Sequence, residues 1–185
     1  MSGGVELVGA RVRLRPWRAD DRAPFAALNA DPEVMRHFVA PLTREASDAW
    51  AERIEAWMAA HGWGQWALQT PELAFAGFVG LSTVPEHIPL PAALSRPAHE
   101  IGWRLARGAW GRGYASEAAR LVLAYARDVP VAPIVSYTAS VNGPSQRVMQ
   151  RIGLVEVARF EHPRIPEGHA LRAHVLYAHA PGAGG

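Results

Sequence analysis

A glycine-rich segment after a short apolar stretch constrains this chain more than any other part of its sequence. Residues 107–118 read Arg-Gly-Ala-Trp-Gly-Arg-Gly-Tyr-Ala-Ser-Glu-Ala, so closely spaced glycines stand directly before a helix-forming run. Glycine lets the backbone approach an anion, and the first turn of a helix presents unpaired N–H groups at the positive end of its dipole. The segment predicts a strand, a phosphate-binding loop and a helix, in that order, and a ligand that carries a pyrophosphate.

Two well-known phosphate-binding loops do not fit the segment. The dinucleotide fingerprint requires a third glycine where Ser116 stands. The nucleoside triphosphate loop requires a lysine, and the chain contains none. An ordinary tight turn that binds no ligand stays open at this point, because a lone Gly-x-Gly is weak evidence.

Further motifs carry a resemblance to a known family. Residues 110–115, Trp-Gly-Arg-Gly-Tyr-Ala, resemble the acetyl-CoA pyrophosphate loop of the GNAT superfamily of N-acetyltransferases, in which the usual pattern is Q/R-x-x-G-x-G/A. Trp110 replaces the opening Gln or Arg, and Gly113 and Ala115 fill the other two positions. Residues 142–154, which contain Asn142, Ser145 and a closing Gly-Leu, are similar to a second segment of the RimJ/RimL-like branch. Together with residues 100–105, these motifs extend the resemblance over most of residues 11–178.

The resemblance implies acetyl-CoA as cosubstrate. It places the pantetheine arm in a gap of the sheet, against backbone groups of Ile101, Trp103 and Leu105, one of whose N–H groups faces the thioester oxygen as an oxyanion hole. Arg112 is expected to pair with the phosphates and Arg151 with the adenosine end. The other expected cofactor contacts are Arg107, Trp110, Gly111, Gly113, Tyr114, Ala115, Ser116 and Asn142.

The implied reaction is direct attack of a primary amine on the acetyl carbonyl in a ternary complex. An amine with a pKa near 8 to 10 is mostly protonated at neutral pH, so the reaction needs a base. Glu100 is the predicted base, and a solvated or arginine-paired carboxylate is the alternative. By resemblance, Ser145 donates a proton to the leaving thiolate and Asn142 orients the cofactor or a water, although both also fit a helix cap.

A histidine-containing segment lies between the last two predicted strands. Residues 161–174 contain three histidines and two glutamates, but prolines and a glycine break the segment, so it lacks the fixed spacing of a metal site and no metal is expected. A loop in this position borders the amine-substrate site in the family, and hydrogen bonds that hold a long loop are the alternative role. The predicted substrate contacts are Met35, Phe38, His162, Arg164, Glu167 and His169.

Hydrophobic periodicity predicts a mixed α/β chain. Expected strands cover residues 11–15, 63–69, 74–84, 99–106, 134–139, 154–160 and 171–178, and expected helices cover 19–29, 43–60, 114–127 and 144–151. Residues 85–97, with four prolines, are expected to form a surface loop. The predicted architecture is the GNAT fold, a mixed and mostly antiparallel sheet of about six or seven strands that splays between its fourth and fifth strands, with about four helices. Residues 1–179 are expected to form a single N-acetyltransferase domain and 180–185 a flexible tail.

Composition excludes several other classes of protein. With no cysteine there are no disulfides or thiolate metal sites, and no apolar run approaches the roughly 20 residues of a membrane span. The sequence pI of 9.5 is high, but no basic cluster is interleaved with aromatics, so no nucleic-acid partner is expected. We expect a cytoplasmic enzyme that acts on a small-molecule amine or a peptide N-terminus, with a homodimer possible through an exposed edge strand. A non-catalytic acyl-CoA-binding module is the alternative function.

Overall fold

The computed structural model describes residues 5–131 and 133–179, so the predicted tail at 180–185 lies outside the described residues. The described chain forms one eight-stranded sheet in the order β1-β2-β3-β4-β5-β6-β8-β7. In chain order the elements are β1 Leu7–Val8, β2 Arg13–Arg15, α1 Arg22–Ala30, α2 Arg44–His61, β3 Gln65–Gln69, β4 Gly77–Thr83, β5 His99–Leu105, α3 Tyr114–Tyr125, β6 Ile134–Ala139, α4 Gly143–Arg151, β7 Leu154–Glu161 and β8 Ala173–His179.

The mixed, mostly antiparallel fold with four α-helices is confirmed, with one more strand than the sequence predicted. The additional strand is β1, which pairs only two residues with β2 and is too short to leave a periodic pattern. Residues 85–97 form a loop, but the expectation that they lie on the surface is wrong for Ile88. This side chain is fully buried in a cluster with Val84 and Leu176, because the loop covers one face of β6 and β8.

Local sequence signals explain where the helices begin and end. Thr43 caps α2 by accepting a hydrogen bond from the N–H of Ala46, and Gly62 ends the helix in the left-handed conformation at φ 75°. Asn142 caps α4 in the same way as Thr43 caps α2, with Pro144 in the first turn. Among the described residues, no helix has both the length and the apolar character needed to cross a membrane.

The sheet separates two cores, and β5 contributes to both. Ile101 and Leu105 pack with α3 on one face. Glu100, Gly102 and Arg104 point to the other face, because successive side chains of a strand alternate. That second face carries α1 and α2, which pack against the sheet through a cluster of Phe25, Leu28, Ala51, Ile54 and Phe78.

Strands β5 and β6 form the parallel pair of the sheet and stay together only at their beginnings. Their register covers His99 with Ile134 and Glu100 with Val135, whereas β4 pairs with β5 from end to end. The hydroxyl of Ser136 donates to the carbonyl of Ile101 at 2.8 Å, just beyond the last paired position. The strands then part, so a gap opens toward the ends from which the chain enters α3 and α4.

Candidate active site

Backbone groups of β5 face the gap at every second residue. The N–H of Val84 donates to the carbonyl of Ala98, and the N–H of Ala106 donates to that of Ala76, so even-numbered residues of this strand pair with β4. Odd-numbered residues therefore face β6, and these include the predicted contacts Ile101, Trp103 and Leu105. The carbonyl of Leu105 accepts from the indole N–H of Trp110 at 2.8 Å. The N–H and carbonyl of Trp103 lie beyond the last position paired with β6.

The glycine-rich loop has the geometry of an anion cradle. A single 3-10 turn at Arg107–Ala109 leads into Gly111 and Gly113, whose φ angles of 73° and 80° are in the left-handed region. Gly113 is the N-cap of α3, and no side chain of the described residues caps that helix. The first turn of α3, which contains Tyr114, Ala115 and Ser116, therefore presents its backbone N–H groups to the loop. Because a Cβ atom on Gly111 would meet nothing within 4 Å, space lies open above the loop.

The hydroxyl of Ser116 is a buried polar group without a protein partner among the described residues. It lies in the first turn of α3, directly behind the loop. A buried hydroxyl that lacks a partner is uncommon in folded proteins. Together with the uncapped helix start and the left-handed glycines, it makes this loop fit a pyrophosphate ligand.

Two residues outside the predicted site hold the loop. Arg11 donates to the carbonyl of Arg112 at 2.9 Å and forms a salt bridge with Glu117 of α3 at 2.8 Å. Glu72 accepts from the side chain of Arg112 at 2.9 Å and from the hydroxyl of Tyr114 at 3.0 Å. The guanidinium expected to meet phosphate therefore has a carboxylate partner, which a phosphate would have to replace. Sequence reasoning missed Arg11 and Glu72, because both lie far from the loop in the chain.

The two arginines of α4 differ in their distance from the gap. Arg151 is exposed at the C-terminal end of this nine-residue helix, about 13 Å along its axis from the start. Its backbone carbonyl accepts from Arg120 at 2.7 Å. Arg147 instead folds back toward the helix start, with its Nη1 atom 3.2 Å from the position of a Cβ on Gly143. The i,i+4 spacing from Gly143 could have indicated Arg147 from the sequence.

Glu100 occupies the opposite face of β5, at the point where β5 and β6 begin to part. Burial raises the pKa of its carboxyl to about 7, and a hydrogen bond from the hydroxyl of Tyr137 opposes part of that rise. Burial and the neighbouring Glu100 raise the pKa of Tyr137, so this phenol stays protonated. Among the described residues no arginine forms a salt bridge with Glu100, although the residue keeps some exposed surface. A carboxyl with these properties can exchange a proton near neutral pH.

Asn142 and Ser145 begin α4, which follows β6 at the wide end of the gap. The side-chain oxygen of Asn142 accepts from the backbone N–H of Ser145 at 3.3 Å, and its amide nitrogen donates to Thr138 at 2.8 Å. The predicted cap therefore exists. The hydroxyl of Ser145 is half-buried and lies outside this hydrogen-bonded arrangement. It stays available for a ligand.

The predicted substrate residues from the first helical region divide into an exposed and a buried one. Phe38 is 44% exposed and stacks on the guanidinium of Arg104, with the Cζ atom 4.1 Å from the ring centroid. Met35 is only 3% exposed. Its backbone carbonyl accepts from the N–H of Phe38 at 2.8 Å, and its role as a substrate contact stays a prediction.

The loop between β7 and β8 contributes one of its four predicted residues to an aromatic cluster near Glu100. His162 lies 4.9 Å from the ring of His174, which in turn lies 6.4 Å from Tyr137. Burial lowers the pKa of both histidines below the ordinary value. The remaining residues of the set are exposed on the outer part of the loop, away from this cluster: Arg164, Glu167 and His169.

Hydrogen bonds within the loop agree with the alternative structural role. The Nδ1 atom of His162 accepts from the N–H of Arg164 at 3.3 Å, and that of His169 accepts from Leu171 at 3.1 Å. In the part of the chain that the structure describes, no group of three or more acidic, histidine or cysteine side chains is arranged to hold a metal.

Known proteins are similar to this chain in both sequence and fold. The family model described as an acetyltransferase (GNAT) domain matches residues 11–155. The FsC-acetyl coenzyme A-N(2)-transacetylase of Aspergillus fumigatus is 31% identical over 159 residues, which cover 82% of this chain and 65% of the fungal protein. This chain thus spans slightly less than two thirds of that relative's length.

Solved structures agree in fold. A GNAT-family acetyltransferase from Bacillus anthracis superposes with a TM-score of 0.74 at 23% identity, covering 94% of this chain and 97% of that one. RimJ of Mycobacterium smegmatis, in complex with CoA-disulfide, gives a TM-score of 0.69 at 21% identity, with 90% and 80% covered. The family match, the fold and the glycine loop lead to one conclusion: the chain belongs to the GNAT family of acetyltransferases.

Proposed function

We propose that this protein transfers an acetyl group from acetyl-CoA to a primary amine by direct attack in a ternary complex. The observation that carries the proposal is Glu100, a carboxyl with a pKa of about 7 at the point where β5 and β6 begin to part, next to the stretch in which the backbone of Trp103 is not paired with β6. A base with a pKa near the working pH is suited to deprotonating an ammonium group.

The residues that would hold acetyl-CoA belong to β5, the glycine-rich loop and the start of α3. The first-turn N–H groups of α3 and the left-handed Gly111 and Gly113 suit the pyrophosphate. The edge of β5 around Trp103 suits the amides of the pantetheine arm. When bound, acetyl-CoA supplies the acetyl group as a thioester.

Proton movements are assigned to two side chains. Glu100 takes the proton from the ammonium, directly or through a water, and leaves a neutral amine as nucleophile. The N–H of Trp103 would donate to the carbonyl oxygen as negative charge develops there, and such a donor typically contributes about 2.7–4 kcal/mol. The hydroxyl of Ser145 would donate to the departing thiolate.

The names of relatives support an amine acceptor without fixing which one. The fungal relative is named as an N(2)-transacetylase, and RimL, which shares the fold with a TM-score of 0.75 at 15% identity, is described as a ribosomal L7/L12 alpha-N-protein acetyltransferase. Both a small amine and a peptide N-terminus are therefore included in the proposal. A homodimer through β7, which forms an edge of the sheet, stays a prediction.

Calorimetric titration with acetyl-CoA, followed by a thiol-release assay on primary amines and N-terminal peptides, tests the proposal. Micromolar binding with release on one amine class would support it. Binding without release from any amine would leave an acyl-CoA-binding module, and no binding would overturn the proposal.

A matched pair of variants tests the cradle itself. Gly113→Arg is expected to abolish acetyl-CoA binding, because its side chain would fill the loop. Gly62→Arg is the control, because Gly62 has a similar φ of 75° and ends α2 away from the loop. Equal binding by the two variants would contradict the assignment of the loop.

A further inference from the structure

Arg104 is an arginine of β5 buried among aromatic rings. It is 9% exposed, and its Cζ atom lies 4.1 Å from the ring centroid of Phe38, 4.9 Å from that of Trp50 and 5.8 Å from that of Phe78. Cation–π contacts of this kind stabilise a guanidinium, but they do not neutralise its charge.

No carboxylate of the described chain compensates this charge. Arg104 forms no salt bridge within the described residues, and its Nη1 atom donates to the neutral side-chain oxygen of Asn29 at 2.5 Å. The amide of Asn29 is held in turn by the hydroxyl of Ser47 at 2.9 Å, so its oxygen stays directed at Arg104. The Nε atom of Arg104 is buried and has no acceptor among the described residues. An uncompensated buried charge of this kind is costly for a fold to keep.

The free edge of the guanidinium has the shape that oxyanions bind. Since Nη1 is bound to Asn29, the Nε and Nη2 donors remain, and these two groups form the side-on fork that pairs with a carboxylate through two parallel hydrogen bonds. Burial lowers the pKa of Arg104 to about 10, so the fork is still charged at neutral pH. Phe38, nearly half exposed, stacks on one face of this guanidinium.

Open space lies over Gly102, between Arg104 and Glu100. Both residues lie on the same face of β5, on either side of Gly102, with Cα atoms about 13 Å apart along the strand. A Cβ atom on Gly102 would meet only the Oε1 atom of Glu100, at 3.7 Å. The floor between the proposed base and the unpaired cation is therefore bare backbone.

We infer that the acceptor is an amine that also carries a carboxylate, with its nitrogen at Glu100 and its carboxylate on the free edge of Arg104. The inference rests on the proposed function and narrows its acceptor class. Binding supplies the carboxylate partner that Arg104 lacks among the described residues and orients the amine toward the gap. Arg104 is a specificity residue here, since it touches the acceptor away from the reacting atoms.

Matched pairs of amines test the inference. Each pair consists of an amino acid and its primary carboxamide, which differ in charge but hardly in shape, and the series spans one to six carbons between nitrogen and carboxyl. The wild-type protein is expected to favour the carboxylate in kcat/KM by about 10- to 100-fold at the best chain length. Arg104→Met is expected to remove that preference, and Arg104→Lys to keep part of it. The ratio within a pair is insensitive to a general loss of active protein.

Equal use of carboxylate and carboxamide by the wild-type protein would overturn the inference, as would a preference that survives in Arg104→Met. A binding measurement separates this failure from that of the proposed function. Carboxylic acids that match the best amino acids but lack the amine are titrated calorimetrically into the wild-type protein and Arg104→Lys. Tighter binding to the wild-type protein, even without acetyl transfer, supports the anion subsite, whereas undetectable binding to both contradicts it.

Discussion

The molecule buries two strand arginines in opposite ways. Arg15 of β2 is 1% exposed, and its two terminal nitrogens bind the two carboxylate oxygens of Asp21 at 2.7 and 2.8 Å, with a further bond to the carbonyl of Ala74. Arg104 of β5 is buried almost as deeply, but among the described residues it contacts a neutral amide and aromatic rings and no carboxylate. The charge of Arg15 is therefore neutralised by a carboxylate from the start of the first helical region, whereas the charge of Arg104, on a strand that borders the gap, has no counter-charge among the described residues.

Two carboxyl groups repeat the contrast. Asp21 accepts from Arg15 and from the backbone N–H of Arg18 at 2.8 Å. Glu100 has no cationic partner in the described chain, and its pKa rises to about 7. A buried charge that has a counter-charge within the protein contributes to stability. A buried charge without a counter-charge can bind a ligand or exchange a proton.

The largest effect on stability is expected from breaking the buried ion pair between Arg15 and Asp21. Asp21→Asn leaves Arg15 buried without a counter-charge and should lower the free energy of unfolding by about 3–5 kcal/mol. Denaturant unfolding measures the loss, and Asp20→Asn is the control, because its carboxylate is exposed next door. A loss below about 1 kcal/mol would contradict a structural role for the pair.

Removing the charge of Glu100 should affect catalysis and spare the fold. Glu100→Gln is expected to lower kcat by about 100- to 1,000-fold, with acetyl-CoA binding unchanged, because the base is lost. Steady-state thiol release gives kcat and calorimetry gives the affinity. Exposed Glu86→Gln is the control. Ser145→Ala should likewise lower turnover without weakening binding, and unchanged turnover in both active-site variants would overturn these assignments.

The raised pKa of Glu100 predicts a pH dependence with a definite sign. The folded state binds this proton up to about pH 7, whereas the unfolded chain releases it near 4.5. Unfolding is therefore favoured as pH rises through that window, so the wild-type protein should lose stability relative to Glu100→Gln between about pH 4.5 and 7. Unfolding curves at several pH values measure the difference in the free energy of unfolding between the two proteins, and a constant difference would contradict the raised pKa. Over the upper part of this range kcat/KM should rise.

The smallest effect on stability is expected from replacing Arg104, which has no counter-charge among the described residues. Arg104→Met replaces an uncompensated cation by an apolar chain of similar length, so the free energy of unfolding should change by less than about 1 kcal/mol. Arg15→Met is the matched variant and should be strongly destabilising, because it leaves Asp21 buried alone. Similar losses in the free energy of unfolding for both variants would contradict the distinction between a buried arginine with a counter-charge and one without.

Local pattern predicted most elements of this fold, and failures occurred where pattern is silent. The strand at Ile134–Ala139 has the bounds predicted from the sequence, because it is rich in β-branched and aromatic residues and follows a proline. The two-residue β1 and the burial of Ile88 depend on neighbours that are distant in the chain. Arg104 received no functional prediction for the same reason: its rings, Asn29 and Ser47 come from separate elements.

The sequence by itself determined the family, the order of the elements and the loop that suits a pyrophosphate, because glycine conformation, helix capping and strand alternation are properties of neighbouring residues. Only the tertiary structure decided which buried charges have a counter-charge and which do not. Glu100 and Arg104 stand four positions apart in a short strand. Their chemistry follows from burial and from the absence of counter-charges among the described residues, and both depend on how distant segments pack over one face of β5.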